Sequence, residues 1–351
     1  PATAAETRHA IEHGAIDSAP VTLGTGGRGR GRLPTKLGRN MDENLAAAEA
    51  VIINSKDGKG IDGRVWMPTN ADVPAVIQIL HGLGEHADRY DRFARAANLR
   101  GYAVVAHNHR GHGALAEQRG CFGEKDGFRL LEADAVSVRE EIDRRFANKP
   151  VILLGHSMGS FLAQYYALHH GARLRGMILS GSGWPSKLEL YPGFVLAWLT
   201  SKSIGRSKPS PFLDKLGFDS LNKRFEPART PFDWLSRDEA EVDRYVEDPL
   251  CGGPYSSGLW ADFLGGLLSV ASDRALNRIP GELPILITGG ANDPVGGDDG
   301  LGKLMLHYAQ TLHSRLSLKL YPEGRHEMLN EINRDAVTTD WLDWTDRLVK
   351  R

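Results

Sequence analysis

Residues 150–159 have the sequence PVILLGHSMG, and this stretch decides the fold class. The apolar run that begins at Val151 predicts a buried strand, and apolar residues at helical spacing after Ser157 predict a helix that begins there. The flanking glycines permit a sharp turn that would lift the serine hydroxyl clear of the sheet. Because a serine alcohol is a weak nucleophile until a base removes its proton, the motif also predicts a histidine and an acid elsewhere. The alternative is a serine at an ordinary helix N-cap.

Composition is typical of a globular protein. The 351 residues suit one large α/β domain with an insertion, or two domains, and 41% of them are hydrophobic. A net charge of −1 gives no general basis for binding nucleic acid or an anionic surface, so we expect no nucleic-acid partner. No run approaches the roughly 18 apolar residues of a spanning helix. No secretory signal is visible either, so we expect a cytoplasmic protein, although a chain whose signal had been removed would look the same.

The cysteines and histidines predict neither a disulfide framework nor a metal site. Cys121 and Cys251 are too few for a framework and are either free thiols or one bond. His107 and His109 would share a strand face with His112 nearby, but no carboxylate or cysteine completes a spaced ligand set. We therefore expect no metal and no cofactor, and we interpret these histidines as a hydrogen-bonded loop network.

Residues 1–40 differ from the rest of the chain. They are rich in Gly, Ala, Thr and Arg and show little periodicity. Residues 24–29 match the G-x-G-x-x-G pattern, but no helix is predicted after them, so we exclude a dinucleotide site. The Arg-Gly repeats could contact RNA, yet a flexible leader or a segment introduced by cloning explains them more simply. We expect the folded domain to begin near Met41.

Strand-like apolar runs alternate with helical patterns from residue 49 onward. One helical pattern, between the third and fourth runs, is formed by Tyr90, Phe93, Ala94 and Ala97. This alternation predicts an α/β fold with a mostly parallel, doubly wound sheet, in which the first and second runs pair as a hairpin. The runs are 49–54, 63–67, 75–80, 102–107, 151–155, 175–180, 284–288 and 316–321.

Residues 184–265 interrupt the alternation and are predicted to form a cap inserted between core segments 41–183 and 266–351. They contain 13 of the 27 aromatic residues in the chain. Such a cap would place an apolar surface over the carboxyl edge of the sheet, where open α/β sheets bind ligands. Phe194 and Trp198 belong to a cap segment that is apolar almost all round, so we predict that they bind substrate. We also expect the cap to make transient contact with a membrane surface.

The base and the acid should follow the serine in the chain. Asp293 lies in the loop after the predicted strand 284–288, and His326 lies in the loop after the next strand. Both side chains would then lie at the carboxyl edge of the sheet, as Ser157 does. We expect His326 Nε2 to accept the serine proton and Asp293 to bind its Nδ1–H.

The acid has competitors in the same loop. Asp298 and Asp299 also follow the strand, but Asp293 comes first after it, and Pro294 stiffens its turn. We therefore prefer Asp293 as the acid. For His326, the alternative is a surface histidine with no catalytic role.

An oxyanion needs two backbone donors. The Met158 N–H is one candidate, because it begins the helix after the serine, and the Leu83 N–H in the glycine-rich loop 81–86 is the other. We also predict that Gly82 and His156 contact the substrate. The alternative is a glycine-rich turn with no catalytic role.

Taken together, these motifs resemble the monoacylglycerol lipase and lysophospholipase group of the α/β-hydrolases over roughly residues 50 to 350. The resemblance implies an eight-stranded sheet, a mobile cap, and hydrolysis of monoacylglycerols or related esters without a cofactor. Asn108 departs from the aspartate usual in the group, and Ala114 and Leu115 replace a small polar residue. The matching motifs are HGLGEH at 81–86 with Arg89 and Tyr90, AHNHRGHG at 106–113, GHSMG at 155–159, EVDRY at 241–245 with DPL at 248–250, and GRHE at 324–327.

We therefore predict a serine hydrolase that cleaves carboxylic esters through an acyl-enzyme intermediate. Its most favoured substrates are monoacylglycerols or short-to-medium-chain acyl esters. A lysophospholipase, a thioesterase or an acyltransferase would use the same triad, and a catalytically silent binding protein could keep the same fold. The sequence leaves the oligomeric state open.

Overall fold

The computed structural model describes residues 47–69, 72–184, 186–295 and 299–350. The predicted leader at 1–40 and the predicted domain start at Met41 lie outside the described residues. The described residues belong to one compact unit.

Eight strands form a single sheet in the described part of the chain. Each lies within two or three residues of a predicted apolar run, so the strand predictions are confirmed. They are β1 (Glu49–Asn54), β2 (Gly60–Trp66), β3 (Val76–Leu80), β4 (Ala103–His107), β5 (Val151–His156), β6 (Gly176–Ser180), β7 (Ile285–Gly290) and β8 (Leu316–Tyr321).

The strand order is β1-β2-β4-β3-β5-β6-β7-β8. β1 and β2 pair antiparallel as the predicted hairpin, β2 pairs antiparallel with β4, and the pairs from β4 to β8 are parallel. The prediction of a mostly parallel sheet is therefore confirmed. Because β5, β7 and β8 run in the same direction, the loops after them lie at the same edge of the sheet.

Helices cover both faces of the sheet, so the central strands are buried on both sides. Leu153 of β5 packs into one hydrophobic cluster, whereas its neighbours Ile152 and Leu154 pack into the cluster on the other face, with Phe93 and Trp341. Strands buried on both faces are apolar along their whole length, and for this reason they were visible in the sequence as continuous runs.

The helices of the described residues follow local sequence signals. Ser186, Ser210 and Ser256 each cap a helix by accepting a hydrogen bond from a backbone N–H of the first turn. The helices are α1 (Asp91–Leu99), α2 (Gly127–Arg145), α3 (Met158–His170), α4 (Lys187–Ile204), α5 (Pro211–Asn222), α6 (Glu239–Glu247), α7 (Ser257–Val270), α8 (Asp273–Leu276), α9 (Gly300–Gln310) and α10 (Arg334–Val349).

The predicted cap segment is helical, and α4, α5 and α6 lie wholly within it. α7 runs through the predicted boundary at residue 265 without a break and packs against α4 as well as against α2 and α3 of the core. The division into core and cap therefore stays a prediction. Cys121 and Cys251 are both free thiols, which resolves the alternative that the sequence left open. No helix in the described ranges combines the length and apolar character needed to span a bilayer.

Candidate active site

Ser157 occupies a strained turn between β5 and α3, with φ 51° and ψ −121°. The glycines on either side are needed for close packing. A Cβ on Gly155 would lie 2.3 Å from the Gly159 carbonyl oxygen, and a Cβ on Gly159 would lie 2.0 Å from the Leu80 carbonyl oxygen. The Ser157 N–H donates to the Ser180 carbonyl oxygen at 2.9 Å, which anchors the turn to the neighbouring strand. The turn predicted from the G-x-S-x-G motif is present.

His326 and Asp293 form a buried pair at the ends of β8 and β7. The His326 Nδ1 lies 2.9 Å from both carboxylate oxygens of Asp293. Burial lowers the pKa of His326, but the charge and hydrogen bonds of Asp293, with smaller contributions from Glu327 and Glu85, outweigh burial and raise this pKa above its ordinary 6.5. With Nδ1 engaged, Nε2 is the ring nitrogen that remains for proton transfer.

Of the two alternative acids, only Asp299 is described, and it does not contact His326. Asp299 is exposed and stands at the N-cap of α9, and Asp298 lies outside the described residues. Asp293 also accepts a hydrogen bond from the Val295 N–H at 2.9 Å, which holds the carboxylate in its loop. The geometry therefore favours Asp293 as the partner of the histidine.

Ser157 and His326 line the same cavity. No hydrogen bond joins the two side chains, both of which are described, and such contacts are often long in ligand-free sites. Gly181 makes room for the imidazole, because a Cβ there would lie 2.8 Å from His326 Cε1. The centroids of the Trp234 and His326 rings lie 4.9 Å apart.

The glycine-rich loop presents one free amide between two that are engaged. The Gly82 N–H donates to Glu85 Oε1 at 2.5 Å, and the Gly84 N–H donates to His112 Nε2 at 3.2 Å. In the described part of the chain, neither the Leu83 nor the Met158 N–H donates to a protein group. The amides of both predicted oxyanion donors are thus available to a ligand, and their role stays a prediction.

Four buried histidines lie behind this loop. His81 Nε2 accepts from the His109 N–H at 3.0 Å, and His112 Nε2 accepts from Gly84, so both rings carry their proton on Nδ1. Burial lowers the pKa of His107 and of His112 to about 4, so these rings are neutral near pH 7. The predicted histidine network is present in part, because neither nitrogen of His107 has a partner in the described structure.

One group of potential metal ligands lies elsewhere in the described residues. The ligand atoms of His86, Asp248 and Cys251 lie within 4.8 Å of one another. His86 Nε2 and Asp248 Oδ2 are 2.9 Å apart, and burial raises the pKa of the Cys251 thiol, which disfavours the thiolate that a metal would bind. The expectation of a metal-free site stays a prediction.

The cavity at Ser157 is mostly apolar and measures about 230 Å³. Gly82 and His156 line it, and their contact with substrate stays a prediction. Burial, with the neighbouring His326, lowers the pKa of His156 to about 3, so this ring is neutral. The apolar walls are formed by α3, α5, α6, α7 and loop residues: Phe161, Phe218, Leu221, Trp234, Leu235, Tyr245, Trp260, Phe263, Leu267, Pro294 and Val295.

Phe194 and Trp198 do not line this cavity, so their contact with substrate stays a prediction that this cavity does not support. They lie on α4, which packs against α7, whereas α7 itself supplies part of the cavity wall. Trp198 is 44% exposed. One side of this helix packs on α7, whereas another side presents apolar residues to solvent.

Sequence reasoning missed a charged group beside the cavity, which we name the Arg89 cluster: Glu85, Arg89 and Glu327. Both carboxylates line the cavity. A signal was present, because Glu85 and Arg89 are one helical turn apart in the glycine-rich segment and Glu327 follows His326 directly. Their meeting could not be read from the sequence, since Arg89 and Glu327 are 238 residues apart.

Comparison with known proteins identifies similar chains. The model of a family described as serine aminopeptidase, S33, matches residues 71–333. The monoglyceride lipase of Rattus norvegicus is 28% identical over 308 residues, which cover 84% of this chain and 92% of that protein. The monoacylglycerol lipase of Mycolicibacterium smegmatis is 26% identical, over 80% and 90%. A thermostable carboxyl esterase from Bacillus coagulans, solved with glycerol, superposes with a TM-score of 0.79 at 28% identity, covering 87% of this chain and 99% of that one.

Proposed function

This chain belongs to the family described as serine aminopeptidase, S33, and we propose that it hydrolyses monoacylglycerols with Ser157, His326 and Asp293 as its catalytic residues. It has the α/β-hydrolase fold and is a carboxylic ester hydrolase of the monoacylglycerol lipase group. One observation supports the proposal most: the buried His326–Asp293 pair shares an apolar cavity with a serine at a strained turn.

In the proposed mechanism, Ser157 Oγ attacks the ester carbonyl carbon while His326 Nε2 takes the hydroxyl proton. Asp293 stabilises the imidazolium, and the Leu83 and Met158 amides donate to the oxyanion of the tetrahedral intermediate. As the C–O bond breaks, His326 returns the proton to the leaving alcohol, and the acyl group stays on the serine. Water, deprotonated by the same histidine, then releases the carboxylic acid and regenerates Ser157.

A fluorophosphonate probe and a substrate panel test this proposal. We expect the probe to add to Ser157, as located by mass spectrometry of the labelled peptide. The panel compares a monoacylglycerol with a lysophospholipid, an acyl thioester and an aminoacyl anilide, each with and without an added alcohol acceptor. Fastest hydrolysis of the monoacylglycerol supports the proposal. A preference for another ester class, or transfer to the alcohol, would assign the same residues to a lysophospholipase, thioesterase or acyltransferase.

The cavity predicts a dependence on acyl length. Each methylene buried against its walls contributes about 0.8 kcal/mol, or roughly fourfold in binding. We therefore expect kcat/KM for monoacylglycerols to rise from acetyl to about octanoyl and then level off, and triacylglycerols to react far more slowly. The measurement is kcat/KM below the micellar concentration. If kcat/KM stays constant or falls from two to eight carbons, the cavity does not bind the acyl chain in this way.

A pair of aromatic variants sharpens this test. Phe263 lines the cavity, whereas Trp198 does not. Phe263→Ala should reduce the gain per methylene, because part of the apolar wall is lost. Trp198→Ala should leave the gain unchanged. If Trp198→Ala reduces the gain per methylene and Phe263→Ala does not, α4 binds the acyl chain.

We also propose that the cap contacts lipid surfaces through exposed apolar residues of α4 and α5. Leu188, Tyr191 and Leu199 of α4 and Phe212 and Leu216 of α5 are all more than half exposed. Other residues of α5 supply cavity wall, so the exposed residues of this helix lie on an element that borders the cavity. Apolar patches of this kind mark interaction surfaces.

Vesicle sedimentation tests this contact. We expect the protein to bind phosphatidylcholine vesicles, and the double variant Leu188→Ser with Leu199→Ser to bind about tenfold more weakly, because apolar area that enters the interface is lost. Leu312→Ser is the matched control, because Leu312 is exposed but lies outside the cap. Equal binding by the double variant and the control variant would reject the cap as the contact surface.

A further inference from the structure

The Arg89 cluster joins the two loops that hold the candidate catalytic groups. Arg89 Nη1 and Nη2 donate to the two carboxylate oxygens of Glu327 at 2.5 and 2.7 Å, and Nη1 also donates to Glu85 Oε2 at 3.3 Å. The side chains of Arg89, Glu85 and Glu327 are 10, 5 and 6% exposed. A planar guanidinium suits this two-pronged contact, which fixes orientation as well as distance.

Glu85 connects the cluster to the glycine-rich loop. Its Oε1 accepts from the Gly82 N–H at 2.5 Å and from the Tyr90 hydroxyl at 2.9 Å. Gly82 immediately precedes Leu83, whose free amide is a proposed oxyanion donor. The orientation of the Leu83 N–H therefore depends on where the Glu85 carboxylate is held.

Glu327 connects the same cluster to the histidine loop. It follows His326 directly, its N–H donates to the Leu235 carbonyl oxygen at 2.8 Å, and Asn330 Nδ2 donates to its Oε2 at 3.0 Å. The guanidinium of Arg89 also packs over the Tyr245 ring at 4.9 Å. One side chain thus contacts the glycine-rich loop, the histidine loop and the cap.

The charges of the cluster reach the candidate base. Burial raises the pKa of Glu327, but the Arg89 charge and hydrogen bonds outweigh burial and lower this pKa, which favours the ionised carboxylate. Glu327 and Glu85, after Asp293, are negative groups that raise the pKa of His326. His156 also faces the His326 ring, at 4.7 Å, and is neutral.

We propose that Arg89 is a positioning residue. Through the carboxylates of Glu85 and Glu327, it holds the Leu83 amide and His326 at a fixed distance from each other. This inference rests on the proposed function, because it concerns the same serine, histidine and oxyanion donors. Arg89 does not touch the reacting atoms in this role. It acts by fixing the distance between two loops, and misplacing a reacting group by about 1 Å can cost about 10²-fold in rate.

Arg139 provides a matched control for general loss of stability. It is buried to the same degree, with its side chain 8% exposed, and donates to Asp143 Oδ1 at 2.8 Å and to the Arg173 carbonyl oxygen at 2.7 Å. It lies on α2 and does not line the cavity. Arg89→Gln and Arg139→Gln each remove one buried guanidinium, and both should lower the melting temperature.

Turnover separates the two variants. With p-nitrophenyl octanoate, we expect Arg89→Gln to lower kcat by about 10²-fold and to change KM less than threefold, whereas Arg139→Gln keeps kcat within about threefold. Arg89→Lys keeps the charge but loses the two-pronged contact, so its kcat should lie between wild type and Arg89→Gln. Equal kcat values for Arg89→Gln and Arg139→Gln would overturn the proposal.

Glu327→Gln gives a readout that a merely structural role would not move. Because the variant removes a negative charge that raises the pKa of His326, the acidic limb of kcat/KM should shift to lower pH. If the acidic limb of kcat/KM has the same pH midpoint in Glu327→Gln as in the wild type, the proposal is contradicted. This experiment does not depend on Arg89→Gln, so it can be done even if that variant fails to fold.

Labelling by the fluorophosphonate probe separates this inference from the proposed function. The labelling rate depends on Ser157, His326 and the oxyanion donors, and not on which ester is the natural substrate. If monoacylglycerols prove to be poor substrates, the proposed function fails, while about 10²-fold slower labelling of Arg89→Gln than of Arg139→Gln still supports the positioning role. Equal labelling rates of the two variants would refute that role whatever the substrate.

Discussion

Ser157→Ala is expected to lower the hydrolysis of esters by about 10⁴-fold or more while the protein stays folded. The serine is the proposed site of acyl transfer, and no other serine lies at a strand-to-helix turn beside His326 in the described structure. Loss of one hydroxyl from a partly exposed position removes little packing, so the melting temperature should change by a few degrees at most. The measurement is kcat for p-nitrophenyl octanoate, with thermal unfolding as the test of folding.

Ser186→Ala is the matched control for this prediction. Ser186 also stands at a helix N-cap, where it accepts from the Glu189 N–H, but it does not line the cavity. Its replacement should cost stability alone, about 1 kcal/mol as for other N-cap substitutions. If Ser157→Ala keeps more than a tenth of wild-type turnover, the nucleophile is a different residue.

Asp293→Asn is expected to lower turnover by roughly 10³- to 10⁴-fold. The carboxylate accepts the His326 Nδ1–H, which selects the tautomer with a free Nε2, and its charge stabilises the imidazolium that forms during acyl transfer. An amide of the same shape keeps the packing but loses the charge. Because Asp293 raises the pKa of His326, the acidic limb of the residual activity should also move to lower pH.

The other aspartates of the loop provide the comparison. Asp299→Asn and Asp298→Asn should change turnover little; Asp299 is exposed and makes no contact with His326 among the described residues. If Asp293→Asn keeps near-normal turnover and one of the other two variants loses it, the catalytic acid is the aspartate replaced in that variant.

The strands and the serine turn could be predicted because their causes are local. A strand that is covered on both faces must be apolar throughout, so β5 stands out as the run from Val151. The first glycine of the turn follows from short-range sterics, since a Cβ at Gly155 would collide with the Gly159 carbonyl oxygen. The pairing of Asp293 with His326 also followed, because parallel neighbours end at the same edge of a sheet.

The walls of the cavity could not be predicted, because helix packing decides them. The sequence marks both α4 and α7 as apolar, yet only α7 faces Ser157, while α4 covers α7 from outside. An apolar helix surface looks the same in the sequence whether it meets another helix, a ligand or a membrane. For this reason the sequence pattern indicates Phe194 and Trp198 as substrate contacts and does not single out Phe218, Trp260 and Phe263.

The sequence by itself determined the sheet, the turn at Ser157 and the order of the candidate catalytic residues, since each depends on neighbours a few residues away or on strand direction. Only the tertiary structure decided that Cys121 and Cys251 remain thiols and that Arg89 reaches Glu327. The physical reason is that contacts between distant segments depend on how the helices and loops pack, and a pattern of residue types along the chain does not specify that packing.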